Sequence, residues 1–136
     1  MKSTVTIASA EEFVRLRASE IPEEYRSAAW GEASNEVWLE VIDKYPDHAR
    51  WVAHNKSISL EVIRVLAAHP DDAVRSLIAA KRKSPTDVLW LLAKDRADSV
   101  RARVAFNAKT PRDILEFLLN DPWEDVQRAV QRRLGL

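Results

Sequence analysis

The amino-acid sequence predicts an all-α fold, a right-handed α-α superhelix built from two-helix repeats of about 26 residues. Three observations carry this. Apolar columns recur 26 residues apart: Val62, Val88 and Ile114; Ile63, Leu89 and Leu115; Leu66, Leu92 and Leu118. A second set follows in the same register, with Val74, Val100 and Val126, then Ile78, Val104 and Val130. Residues three and four apart share a helix face, so each set marks one short helix. Only two glycines and six prolines among 136 residues leave little room for a loop-rich architecture.

Taken in chain order, residues 1–33 read as N-terminal capping helices. Ser9-Ala10-Glu11-Glu12 has capping-box spacing ahead of Phe13-Val14-Arg15-Leu16, and Pro22-Glu23-Glu24-Tyr25 starts a second helix. Residues 34–57 form a divergent repeat. Its Trp38-Leu39-Glu40-Val41-Ile42 matches Val62-Ile63-Arg64-Val65-Leu66 at a shift of 24, while Val52-Ala53 matches Ile78-Ala79 at 26, so two residues are missing near Pro46-Asp47. Trp30, Trp38 and Trp51 fall on apolar positions or in the capping segment and are read as core.

Regular repeats occupy 58–83, 84–109 and 110–134, all within one domain of 136 residues. Ser84-Pro85-Thr86-Asp87 and Thr110-Pro111-Arg112-Asp113 place a hydroxyl at the N-cap, proline at the first helical position and an acid near the positive dipole end. The earlier Ile58-Ser59-Leu60-Glu61 lacks the proline, which shifts its cap to Ser57 or Ser59. The second helix of each repeat begins near Asp72, Asp98 and Glu124. Asn55 and Asn107, in the column of Lys81, suit a left-handed residue that closes a helix. Gln131-Arg132-Arg133 supplies the polar character of an end repeat facing water.

Composition bounds the chemistry. The absence of cysteine excludes disulfides, thiolate metal sites and a cysteine nucleophile. Basic and acidic residues balance at 21 each; residues 1–56 carry 7 basic and 10 acidic side chains and residues 57–136 carry 14 and 11. That asymmetry lets the second half favour an acidic partner without demanding nucleic acid. No apolar run has the length of a leader or a membrane span, so a cytoplasmic protein is expected.

The phrase Asp98-Ser99-Val100-Arg101-Ala102-Arg103-Val104-Ala105-Phe106-Asn107-Ala108-Lys109-Thr110-Pro111, followed by Ile114-Leu115-Glu116-Phe117-Leu118, resembles the leucine-rich repeat variant, a short relative of HEAT repeats. Val74-Arg75 and Ser84-Pro85 carry the same signature one repeat earlier. The resemblance covers residues 57–134 well and 34–56 loosely. It implies a right-handed superhelix whose second helices are partly 3₁₀. The family's founding example is associated with a cysteine-held iron–sulfur cluster, which this chain lacks the residues to bind. The family has no shared catalytic residues to transfer; HEAT-like solenoids mostly bind proteins, and some bind nucleic acid.

Individual side chains point to binding rather than turnover. His48, His54 and His69 lack the spacing of a metal site, and no serine elbow or phosphate-cradling glycine loop occurs, so no catalytic, metal or cofactor residue is assigned. Arg75 and Arg101 recur three residues beyond Asp72 and Asp98, which suits an Asp–Arg ladder tying successive turns; the functional alternative is a face that grips carboxylates or phosphates. Gln127 ends the series. Lys81-Arg82-Lys83 reads as solvated loop or as ion-pairing residues for an acidic partner.

Trp90 shares its column with Arg64 and Glu116, and Trp123 with Asp71 and Ala97, so both are expected near the surface, where tryptophan marks binding hot spots. Phe106, beside His54 and Ala80, is a third candidate. The expected function is therefore a non-enzymatic binding module for another protein, an adaptor or an inhibitor of the immunity-protein type. Its contact residues are Trp90, Phe106, Trp123, Arg75, Arg101, Lys81, Arg82 and Lys83. The alternative is nucleic acid, held by Arg75, Lys81, Arg82, Lys83, Arg101 and Arg103.

Overall fold

The structure, a computed structural model, describes residues 5–136; residues 1–4, the start of the segment read as the N-terminal cap, lie outside the described residues. Among the described residues the regular structure is helical, with ten α-helices and one 3₁₀ turn. The chain divides into two compact units, Met1–Leu66 and Ala67–Leu136.

The first unit contains α1 (Ala10–Ala18), α2 (Pro22–Trp30), α3 (Asn35–Lys44), a 3₁₀ turn (Pro46–His48), α4 (Ala49–His54) and most of α5 (Leu60–Ala67). The Ser9 hydroxyl accepts the Glu12 N–H at 3.1 Å and Ser34 accepts that of Val37 at 3.3 Å, capping α1 and α3. Ser59 caps α5 by accepting the Val62 N–H at 3.2 Å. Phe13 and Trp38, both fully buried, meet edge to face at 5.0 Å and anchor the core.

Backbone bonds from Ile7 N–H to Glu32 O (2.7 Å) and from Glu32 N–H to Val5 O (2.8 Å) tie the segment before α1 to the end of α2. This close approach needs Gly31: a Cβ there would meet Ser27 O at 2.6 Å and Ile7 Cδ1 at 2.9 Å.

Trp38 is core as the sequence predicts, but Trp30 is 66% exposed. Helix α2 buries only Ala28, and a residue two positions on points about 200° around the helix, toward solvent. Trp51 is half-buried under Arg17.

The second unit contains α6 (Asp72–Ala80), α7 (Thr86–Ala93), α8 (Asp98–Phe106), α9 (Arg112–Leu118) and α10 (Glu124–Leu134). The starts of α6, α8 and α10 fall on the predicted residues, 26 apart; those of α7 and α9 are also 26 apart, each one residue after the predicted proline. Helix α8 packs on α6, α7 and α10, and α9 packs on α7 and α10. The predicted columns Val74, Val100 and Val126, and Ile78, Val104 and Val130, are all buried between them.

Three local expectations are corrected. Pro85 and Pro111 themselves occupy the N-cap positions, and the hydroxyls ahead of them serve the preceding helix: Ser84 Oγ donates to Ile78 O and Thr110 Oγ1 to Val104 O, each at 2.7 Å. Each buried hydroxyl thereby adds a second donor to a carbonyl near the helix end that also accepts a backbone N–H, from Lys81 and Asn107 respectively. Asn55 and Asn107 are extended, with φ of −63° and −68°; among the described residues the one left-handed closing residue is Gly135, at φ 75°. The helices α6, α8 and α10 are α-helices, and among the described residues the one separate 3₁₀ helix is Pro46–His48.

Candidate binding surfaces

In the second unit a repeated ionic bridge sets the spacing of the turns. Arg75 Nε and Nη2 donate to the two oxygens of Asp95 at 2.8 and 3.1 Å, a forked pair, while Nη1 donates to His69 O at 2.8 Å and Pro70 O at 3.0 Å. Twenty-six residues on, Arg101 Nε donates to Asp121 Oδ2 at 2.7 Å and Nη1 to Asp95 O at 2.8 Å, with Asp98 as a further partner. Gln127 keeps only the carbonyl bond, from Nε2 to Asp121 O at 2.5 Å. The turn residue at the foot of each bridge also accepts the N–H two positions on: His69 from Asp71, Asp95 from Ala97, and Asp121 from Trp123.

These bridges decide the role of the arginines. Arg75 and Arg101 are both buried, and the carboxylate each meets holds its guanidinium even more firmly protonated. Burial pushes the Asp95 carboxyl up, but the hydrogen bonds from Arg75 and the Ala97 N–H outweigh it and hold its pKa below the usual value. Neither guanidinium is presented to solvent as the fork a partner-gripping face needs. Their place in the candidate contact set is corrected to an internal ladder, whose acids are Asp95 and Asp121 rather than Asp72 and Asp98 alone.

A second recurring link runs through the Asn107 column. Asn107 Nδ2 donates to Ala79 O at 2.8 Å and to Lys81 O at 3.0 Å. Twenty-six residues later Arg133 Nη1 donates to the equivalent carbonyls, Ala105 O at 2.8 Å and Asn107 O at 2.7 Å. In the first unit Asn55 Nδ2 makes the same kind of pair, to Ala28 O at 2.9 Å and Gly31 O at 3.0 Å.

Trp90 is half-buried because its ring meets Phe117 edge to face at 5.6 Å. Lys94 Nζ stands over both rings, 5.5 Å from the Trp90 centroid and 5.9 Å from that of Phe117. Next to them Leu91 is 56% exposed and Phe117 45%. Leu91 and Phe117 lie 26 residues apart, and Val65, 26 residues before Leu91, is also exposed. The available signal was the run Val88-Leu89-Trp90-Leu91-Leu92-Ala93: six consecutive apolar residues cover every face of a helix, so some must face water.

Each of the two exposed apolar residues borders an open groove. One, of about 440 Å³, is lined by Leu91, Lys94, Arg96, His69 and the Arg75–Asp95 bridge; its counterpart, of about 430 Å³, by Phe117, Asn120, Pro122 and the Arg101–Asp121 bridge. The other predicted residues are spread more widely. Phe106, 60% exposed, ends α8, and Trp123, 37% exposed, precedes α10. Lys81 closes α6 half-buried, while Arg82 and Lys83 are exposed in the following turn.

Among the described residues no group of three or more His, Cys, Asp or Glu side chains is placed to hold a metal, and no helix is long and apolar enough to cross a membrane. Comparison of the chain with protein-family models, with curated proteins and with solved structures found no match.

Proposed function

We propose that the chain is a helical-repeat module that binds another protein through the apolar strip of Trp90, Leu91 and Phe117. The observation that carries the reading is that Leu91 and Phe117 expose about half their surface in equivalent places of successive repeats, beside a tryptophan fixed by its neighbour. Aligned apolar side chains left in water are the mark of a contact surface. Lys94, held over the two rings, suits a partner that brings an apolar side chain flanked by a carboxylate. The recurrence of the same bridges at 26 residues supports a right-handed α-α superhelix of the short HEAT-like, leucine-rich repeat variant kind. An adaptor or an immunity-type inhibitor in the cytoplasm fits such a module.

The test is comparative affinity capture from native-cell lysate with the unaltered chain, Leu91→Asp and the double variant Arg82→Glu/Lys83→Glu. A protein retained by the unaltered chain and by the double variant, but lost from Leu91→Asp, supports the strip. A protein lost from the double variant and kept by Leu91→Asp overturns it in favour of the basic turn.

A further inference from the structure

The N-terminal unit carries a cleft that plays no part in the surface above. About 410 Å³ in volume, it lies between α1, α2 and α4 and is lined by Arg17, Arg26 and Lys56 together with Tyr25, Trp30 and Trp51. The Arg17 guanidinium sits 3.5 Å from the centre of the Trp51 ring, and His54 stacks on the same indole at 5.4 Å. Among the described residues no carboxylate lines the cleft, although residues 1–56 are net acidic. Three of the seven basic residues of that acidic segment have converged on one place, and the most exposed tryptophan of the unit stands beside them.

Clustered cations repel one another and an exposed indole is poorly hydrated, so a ligand that relieves both carries negative charge on one part and a flat ring on another. We propose that this cleft binds a nucleoside phosphate, its base stacked on Trp30 and its phosphate held by Arg26 and Lys56. Size agrees, since pockets for ligands of this class run from roughly 300 to 1,000 Å³. The lining offers no Asn, Gln, Asp or Glu to read a base edge, so binding is tolerant of base identity, as stacking platforms are. The nucleotide is either free or one residue of a single strand, and the chemistry at the cleft is the same for both.

The full chain is titrated with ADP and, separately, with a short oligothymidylate, following quenching of tryptophan fluorescence. Saturable quenching by either, weakening as salt is added, supports the proposal, and the ligand that saturates first identifies the source. Trp30→Ala and Arg26→Ala, both at exposed positions, should keep the melting temperature and weaken binding about tenfold or more, whereas Trp90→Ala should leave it unchanged. Absence of binding by both ligands at millimolar concentration overturns it. So does equally tight binding of polyglutamate, which would make the site one for acidic peptides, or retained affinity in both cleft variants. The strip on the second unit is tested by other residues, so failure of one reading is distinguishable from failure of the other.

Discussion

The Arg101 guanidinium and the Asp121 carboxylate meet at 2.7 Å with both side chains almost fully removed from solvent, twenty residues apart in the chain. Breaking such a pair on one side leaves a buried charge only partly compensated, by the largely exposed Asp98. Asp121→Ala should therefore lower the unfolding free energy by about 3–5 kcal/mol, whereas replacing both members with Arg101→Met and Asp121→Leu should recover most of that loss. Urea denaturation of the single and double variants measures it; equal losses in both would mean that the polar bridge itself, not the charge left behind, sets the stability.

The Arg75–Asp95 bridge makes the same prediction in pH. Asp95 has its pKa lowered in the folded state, so its contribution is complete above the unfolded carboxylate value and disappears as pH falls through the folded one. Stability should be level above about pH 5 and decline progressively below about pH 4. Asp95→Asn should be less stable at neutral pH and show a shallower decline in acid, read from denaturation midpoints at a series of pH values. A decline parallel to that of the unaltered chain would assign the acid sensitivity to other carboxylates.

The period of 26 was legible because apolar residues at helical spacing report burial directly, and the helix starts at Asp72, Asp98 and Glu124 followed from it. The ladder was half legible. Arg75 and Arg101 recur visibly, but their acids lie twenty residues downstream in another turn, a separation set by packing between helices and not by any local rule. One trace of the pairing exists in the sequence: Ala49 stands in the arginine column where His69, not Asp, stands twenty residues on.

Trp30 was misplaced for a related reason. Apolar character says that a residue prefers burial, but the rotation of α2, set by the bonds that hold its C-terminal end, decides which residue is buried. The roles of Ser84 and Thr110 were likewise obscured, because a hydroxyl before proline reads as an N-cap when only the helix ahead is considered.

Asn107 and Arg133 reach equivalent carbonyls from different backbones, which predicts that they do not exchange. Asn107 stands in extended conformation just past the end of α8, where a short amide suffices; Arg133 lies within α10, which runs on to Leu134, and needs its longer side chain. Arg133→Ala and Arg133→Asn should both lose about 1.5–3 kcal/mol, the range for hydrogen bonds to a charged group. If Arg133→Asn matched the unaltered chain in thermal unfolding, the backbone difference would be irrelevant and this account would fail.

The strip of Trp90, Leu91 and Phe117 allows stability and binding to be separated residue by residue. Trp90→Ala removes an edge-to-face contact worth about 0.5–1.5 kcal/mol and should destabilise the second unit by that order. Phe117→Ala should cost a similar amount, and the double variant less than the two together, because each single change already breaks the shared contact. Leu91 has no ring partner and is the more exposed, so Leu91→Ser should change stability by no more than about 0.5 kcal/mol. A large stability loss from Leu91→Ser, measured by chemical denaturation, would show that this side chain is packed rather than presented. The strip would then no longer stand as a surface, because its two aromatic members already support each other.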